Sequence, residues 1–408
     1  MKFDTDIAIV GGGLNGTALA LALAQTGQRV TLIDALASKV RKDAGFDGRS
    51  YALALASTRL LDGIGIWDDL VENAQPMLEI KVTDGHAGSG PSPMFMHFDH
   101  AEIEEGPMGY MVEDRHLRRV LLDAVGRTDT ITRMDGERVV DQRVDPAGIS
   151  LTLASGKALR ARLAVGADGR GTGTGQRAGI KRIEWGYGQT ALVCAIEHEL
   201  PHHGVAHQFF MPPGPLAILP LKGNRSSIVW SETTEEAARI NALSDDAYLD
   251  VLRPRFGSFL GEIKLAGARY IYPLGLSLAH EMVAPRVALL GDAAHGVHPI
   301  AGQGLNAGLR DVAALAEVIA DAARRGEDVG SDAALACYQE WRRFDNVTLA
   351  LATDSFNRLF SNDNPLLRIA RDIGMAAVNA LPGLRRGFIR EAAGLTGDLP
   401  RLMQGKAL

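Results

Sequence analysis

A chain of 408 residues is too long for one small core and predicts two or three structural units, and 46% hydrophobic with 23% charged residues is ordinary for a soluble globular enzyme. A net charge of −6 gives no reason to expect a nucleic acid partner, and Cys194 and Cys337 lie far apart without metal or redox spacing, so both read as buried thiols in a reducing compartment. No apolar run of about eighteen residues is present to span a membrane, and a strand begins too soon after Met1 to leave room for a signal peptide, which points to the cytoplasm.

Asp6 to Val10 reads as a strand, Gly11-Gly-Gly-Leu-Asn-Gly16 as a tight turn, Thr17 to Gln25 as a helix, and Arg29 to Ile33 as a second strand ending in Asp34. This is G-x-G-x-x-G between a strand and a helix, with an acidic residue 18 positions after Gly16. Gly11 permits the sharp turn, Gly13 lets a pyrophosphate approach the backbone, and Gly16 lets helix and strand pack closely. Asp34 is placed to hold an adenosine ribose. The motif alone is weak evidence; in this setting it assigns nucleotide binding.

Asp47 to Ser57 leads into a helix ending near Trp67, and Arg49 in that segment is either a surface arginine or a partner for phosphate. Pro76 to Glu105 is strand-like and irregular. Tyr110-Met-Val-Glu-Asp-Arg-His-Leu begins a helix with Leu117, Val120, Leu121 and Val125 on its apolar face and Arg115 near its start. Glu137 to Leu153 is a meander of short strands. Arg162 to Gly169 is a buried strand ending in Asp168-Gly169. The glycines at 169, 171, 173 and 175 never satisfy G-x-G-x-x-G and read as a flexible loop, not a second nucleotide fold. From Gln189 to Leu274 the pattern is mostly strand, interrupted by one helix at Asp245 to Arg255, which predicts an antiparallel sheet separate from the parallel core. Phe209, Phe210, Met211, Ile218, Trp230 and Tyr272 either line a pocket for an apolar ring or are plain core.

Val287 to Leu290 is another short buried strand, ended by Gly291-Asp292 and a glycine-rich turn containing Pro299. From about Leu305 the apolar spacing becomes helical through Leu309, Val312, Leu315 and Ile319. The helix N-terminus is built from Gly302, Gly304 and a potential cap in Asn306, and its partial positive charge attracts an anion or an electron-rich carbonyl. Asp292 is placed to accept hydrogen bonds from sugar-like hydroxyls. Ala333 to Leu408 is helical, and from Trp341 onward it is basic, with 10 Lys+Arg against 6 Asp+Glu. Its interleaved apolar and arginine residues suit an interfacial helix meeting lipid or a partner, or a helix packed on its own domain.

The run His298-Pro-Ile-Ala-Gly-Gln-Gly-Leu-Asn-Ala-Gly-Leu-Arg-Asp311 resembles the signature H-P-x-A-G-Q-G-x-N-x-G-x-x-D of the ubiquinone-biosynthesis (polyprenylphenol) hydroxylases at every fixed position. The resemblance implies the para-hydroxybenzoate hydroxylase type of fold. That is an α/β chain with a Rossmann-like FAD-binding domain (1–75, 106–185 and 275–340), an antiparallel β-sheet substrate domain (76–105 and 186–274) and a C-terminal helical segment (341–408). It implies FAD held by Gly11, Gly13, Gly16 and Asp34 at the adenosine end, and by Arg49, Arg115, Asp168, Asp292, Gly304, Leu305 and Asn306 toward the flavin. His298, Pro299, Gly302 and Gln303 stand at the reacting face. NAD(P)H would reduce the FAD, O2 would add at flavin C4a, and the hydroperoxide would pass OH to a phenolic, polyprenylated substrate, with a membrane surface or partner proteins of quinone biosynthesis nearby.

The chain departs from the family after Asp168-Gly169, where the family's serine and arginine are Thr172 and Gly175; Arg170 and Arg177 lie close by. That departure puts an arginine contact at this loop in question. A hydroxylase of small soluble aromatics and a non-catalytic flavoprotein scaffold remain as alternatives. No His, Cys, Asp or Glu cluster has metal spacing and no serine sits in a nucleophile elbow, so the hard chemistry belongs to the cofactor.

Overall fold

The computed structural model describes every residue except 1, 38–44, 87–89, 172, 298–301, 361–373 and 375–377. Its nucleotide-side layer is a six-stranded sheet in the order Val283–Ala284, Val287–Leu289, Leu163–Gly166, Ile7–Val10, Val30–Asp34 and Ile131–Asp135. All neighbours are parallel except the outermost Val283–Ala284 strand. Ile7, Ala8, Ile9, Leu163, Ala164, Val165, Val287 and Ala288 are fully buried, as strands covered on both faces require.

Register then does the positioning. Val10 pairs with Gly166 and Gly166 with Leu289, so Gly11, Asp168 and Gly291-Asp292 leave the sheet at one edge. Sequence segments some 280 residues apart meet because their strands are parallel neighbours, about 4.8 Å from one another. Helices Leu14–Ala24 and Gln303–Arg324 pack together against this sheet through Leu19, Leu23, Val312 and Leu315.

A second, nine-stranded sheet is mainly antiparallel and includes Glu79–His86, Arg182–His198, Val205–Met211, Gly214–Leu221, Arg225–Thr233 and Tyr270–Ala279. One face is closed by helices Thr234–Asn241 and Asp245–Phe256, whose Ile240, Tyr248, Leu252 and Phe256 pack on Leu192, Cys194, Ile218 and Trp230. The other face meets a three-stranded sheet of Ser50–Ala54, Ala74–Met77 and Gly109–Glu113, with Ala195 and Leu221 against Met77 and Met111.

The α/β architecture with a separate antiparallel sheet and C-terminal helices is therefore present, with local corrections. Tyr110 to Glu113 is strand paired to Ser50–Ala54, and the helix begins at Asp114. Two helices interrupt the large sheet, because Thr233 caps an additional one by accepting from Glu236 N–H at 3.3 Å. Residues Gly173–Arg177 form a short helix where a flexible loop was expected. Phe209, Phe210, Met211, Ile218 and Trp230 are buried core, which leaves Tyr272, 43% exposed, as the accessible member of that set. Cys194 is buried, its thiol pushed up to about 11 by burial, whereas Cys337 is exposed. Among the described residues no helix is long and apolar enough to cross a membrane.

Candidate active site

The glycine turn is specified atom by atom. Gly11 has φ +111°, and a Cβ there would stand 2.3 Å from Ala167 O; one on Gly16 would stand 1.9 Å from Gly11 O. A Cβ on Gly12 would meet Asp34 Oδ2 at 2.4 Å, so the middle glycine of the run is needed to admit the carboxylate. Gly13 differs. It is extended at φ −74°, ψ −173°, and a Cβ would meet nothing within 4 Å, so its missing side chain serves something outside the protein. Asp34 is buried at the end of its strand and accepts from Leu36 N–H at 3.0 Å.

Beside this turn lies a cavity of about 330 Å³, lined by Gly12, Gly13, Arg49, Tyr51, Asp114 and Arg118 among others. Arg49 pairs with Asp47 at 2.6 Å and with Asp114 at 3.3 Å, and its guanidinium lies over the Tyr270 ring at 5.8 Å. Tyr51 donates to Asp114 Oδ1 at 3.2 Å. Arg115 is turned elsewhere: it binds Glu113 at 2.7 Å and stacks on Phe46, and Arg118, one turn further along the helix, reaches the cavity wall and pairs with Asp114.

Asp168 caps the short Gly173–Arg177 helix, with Oδ2 accepting from Thr174 N at 3.1 Å and Oγ1 at 2.8 Å. The third strand end, Gly291, has φ +57° and donates its N–H to Asp311 Oδ2 at 2.9 Å. Asp292 carries an exposed side chain, while its carbonyl accepts from Arg182 at 3.4 Å. Asn15, from the glycine turn, wedges between the turn at Gly291 and the helix at Gly308, where added Cβ atoms would meet its Nδ2 at 2.4 and 2.3 Å.

The Gln303–Arg324 helix starts from Gly302, a left-handed N-cap at φ 64°, ψ 24°. A Cβ on Gly302 would sit 3.1 Å from Ala52 Cβ, and one on Gly304 would meet nothing within 4 Å. Asn306 is not the cap. Its Oδ1 accepts from Ala54 N at 2.9 Å and Ser57 Oγ at 2.8 Å, and its Nδ2 donates to Ala52 O at 2.9 Å and Gly302 O at 3.2 Å. The amide ties the first turn to the Ser50–Ala54 strand, and the N–H groups of a helix's first turn have no carbonyl acceptor within the helix. Gln303 and Leu305 are half-buried in this turn. His298 and Pro299 lie outside the described residues.

Below the turn, Asp311 is fully buried and takes four contacts. Besides Gly291 N–H it binds His295 Nε2 at 2.6 Å, Arg342 Nε at 2.8 Å and Asn346 Nδ2 at 3.5 Å. Burial pushes its carboxyl up, but His295 and Arg342 outweigh burial and hold it down at about 2.

These residues fit an FAD. Open space faces Gly13 and Gly304, and a cavity adjoins the Gly13 turn. Among the described residues Asn15 Oδ1 and Asp168 Oδ1 are buried acceptors without a partner, which hydroxyl groups of a polyol chain would satisfy.

Residues 4–345 match the FAD binding domain family. The chain is 47% identical over 406 residues to the ubiquinone hydroxylase UbiL of Rhodospirillum rubrum, covering 99% of this chain and 93% of that one. It is 36% identical to the 3-demethoxyubiquinol 3-hydroxylase of Escherichia coli over 96% of this chain and 99% of that protein. The chain belongs to the ubiquinone-biosynthesis hydroxylases. They are FAD-dependent monooxygenases, and FAD is the cofactor here. In fold it is similar to p-nitrophenol 4-monooxygenase PnpA from Pseudomonas putida, with a TM-score of 0.77 at 20% identity over 97% of this chain and 99% of that one.

Around this cavity and turn the structure adds Gly12, Asn15 and Arg118 to the residues that the sequence singled out. Gly12 was visible as the middle glycine of a run of three, and Arg118 as the next arginine on the same helix; nothing local marks Asn15. Asn306→Leu keeps the volume and abandons four hydrogen bonds, two of them at backbone groups of the Ser50–Ala54 strand. Denaturant unfolding is expected to report a loss of about 2–3 kcal/mol. A loss below about 0.5 kcal/mol would mean that water replaces the amide at no cost.

Proposed function

We propose that this hydroxylase acts on the ring of an electron-rich phenol bearing a polyprenyl tail, with NAD(P)H as reductant and O2 as oxygen donor. The observation that carries the reading is that the Gly13 turn and the Gly291-Asp292 turn leave one sheet edge together, with Asn15 between Gly291 and Gly308 of the long helix that starts at left-handed Gly302. Bound FAD supplies the redox and oxygen chemistry that no side chain here provides. Gly12 and Gly13 let the backbone meet a pyrophosphate, Asp34 takes ribose hydroxyls, and Asn15 and Asp168 offer acceptors to the ribityl chain. The first-turn N–H groups of Gly304 and Leu305 are preorganised dipoles for negative charge on the ring. Arg49 and Tyr272 belong to the side of the site where the sheet faces the substrate. Oxygen uptake by the FAD-loaded protein, with NADH or NADPH, is expected to rise when a prenylated phenol is added. Uptake that ignores the phenol would count against a hydroxylase.

A substrate that partitions into lipid places the work at a membrane surface. Helix Pro382–Ala392 and the residue before it expose Leu381, Leu384 and Phe388 at 56, 47 and 38%, beside the exposed Arg386. Arg385 and Arg390 are held by Glu102 at 2.8 Å and Glu105 at 2.6 Å, so their reversal would break internal pairs. Arg386→Glu is the cleaner change. Two units of charge at about 1 kcal/mol each predict roughly 30-fold weaker binding to anionic vesicles at low salt. Unchanged binding would make this helix a packing element only.

A further inference from the structure

Between Gly45 and Arg49 the chain is neither helix nor strand, and the strand Ser50–Ala54 begins only after the arginine. A long side chain at the end of such a segment has no regular element behind it to fix its position. Arg49 nonetheless lines the cavity beside Gly12 and Gly13. Asp47 supplies part of the order, accepting from Arg49 N–H at 3.0 Å and from its Nε at 2.8 Å. Those bonds are local. They fix Asp47 and Arg49 relative to each other and not to the rest of the protein.

Two further anchors come from a distance. Gly48, at φ +93°, is buried against the large sheet, where a Cβ would stand 3.2 Å from Ala268 O and 3.5 Å from Ala195 N. Phe46 is half-buried and packs on the cluster of Met77, Met111, Ala195 and Leu221. Two guanidinium groups stand over its ring, Arg115 at 5.2 Å and Arg225 at 4.8 Å. One buried carboxylate holds both: Glu113 Oε2 accepts from Arg115 Nε at 2.7 Å, and Oε1 from Arg225 Nη2 at 2.7 Å.

The chemistry of this group makes it a clamp. Two guanidinium groups on one carboxylate repel each other, and the carboxylate neutralises only one of them. The π face of Phe46 answers the remaining charge without taking N–H groups away from Glu113. An aliphatic residue of similar volume would fill the space and hold neither cation. Glu113 ends the strand Gly109–Glu113 just ahead of the helix at Asp114, and Arg225 opens the strand Arg225–Thr233 of the large sheet. The ring is therefore gripped from both elements at once, three residues before Arg49.

We propose that Phe46 is a positioning residue: held by Arg225 and Arg115 through Glu113, it fixes the segment so that the Arg49 guanidinium stands preorganised at the wall of the FAD cavity. The assignment rests on the reading of Arg49 as a cofactor-binding residue. A guanidinium ordered before its ligand arrives binds an anionic pyrophosphate more tightly than a mobile one, because less side-chain freedom is lost on binding.

The test is a double-mutant cycle read as affinity for FAD. The full-length protein is stripped of cofactor and titrated with FAD by flavin fluorescence. Phe46→Leu is expected to raise Kd roughly 10-fold and Arg49→Met roughly 50-fold. The double variant should bind no more than about 2-fold more weakly than Arg49→Met alone, since a residue that acts through Arg49 then has nothing to act on. Phe46→Tyr keeps the ring and should return Kd to within about 3-fold of the unaltered protein. Losses that multiply in the double variant, or a Phe46→Leu protein with unchanged Kd, would overturn the clamp's role and leave it a packing element. Where Phe46→Leu fails to fold, Arg225→Gln takes its place in the cycle, with a loss of roughly 5-fold expected in the Arg49 background and none beyond about 2-fold with Arg49→Met. An Arg49→Met protein with unchanged Kd would remove Arg49 from cofactor binding and the clamp assignment with it, while phenol-driven oxygen uptake reports on the hydroxylase reading separately.

Discussion

Gly13→Val yields a folded protein without FAD. The residue is already in the extended region at φ −74°, ψ −173°, where a β-branched side chain is at ease, and a Cβ there meets nothing within 4 Å. The protein's own packing is therefore not disturbed. What the valine occupies is the space through which a pyrophosphate reaches the backbone. Affinity for FAD is expected to fall at least about 100-fold, and the cofactor's contribution to stability, about 2.7 kcal/mol when FAD is present at a hundred times its Kd, disappears with it. Apoprotein stability should match that of the unaltered apoprotein within about 0.5 kcal/mol. The control is Gly16→Val, whose side chain collides with Gly11 O and should prevent folding outright. A Gly13→Val protein that retains normal FAD content would remove the pyrophosphate from this turn.

Arg342→Met acts from the opposite side of the helix. It leaves Asp311 fully buried with the hydrogen bonds from His295 and Gly291 N–H but without its arginine, and removing one partner of a buried ion pair costs about 3–5 kcal/mol. The acid limb sharpens the expectation. Asp311 has its pKa depressed to about 2 from 3.8, so the stability it confers is fully present above pH 4 and is lost as pH falls from about 4 to about 2. Removing Arg342 lets burial push the carboxyl up again, and acid unfolding should begin at higher pH. Urea unfolding at pH 7 and an acid titration followed by circular dichroism measure both. A loss under about 1 kcal/mol with an unmoved acid limb would show that the arginine contributes little there. Because Asp311 also holds Gly291 N–H, the same variant should loosen the turn that carries Asp292.

The sequence revealed the parts of this site that are decided locally. The glycine turn and Asp34 follow from steric demands within about two dozen residues, and the left-handed start at Gly302 follows from a glycine preceding a helical apolar repeat. What it did not reveal was set by distant partners. Asn306 has the composition of a helix cap, but its amide is claimed by Ala52, Ala54 and Ser57, some 250 positions away in the chain. Tyr110 to Val112 continued an amphipathic pattern that begins at Asp114, and only pairing with the Ser50–Ala54 strand makes them extended. Phe209 and Trp230 are aromatic in either role, core or pocket, and the helices packed over them decide for core. The helix after Thr233 was legible and overlooked, since Thr233-Thr-Glu-Glu236 has capping-box spacing. Asn15 gave no signal, because its role exists only once Gly291 and Gly308 lie beside it.

Oxygen labelling tests the central claim most directly. The FAD-loaded protein is supplied with NAD(P)H, a prenylated phenol and isotopically heavy O2, and the product is weighed by mass spectrometry. One heavy oxygen atom in each hydroxylated product, with no product when the reductant is withheld, is the predicted result. Reductant consumption that yields only peroxide with the phenol unchanged, or product oxygen drawn from water, would contradict the account.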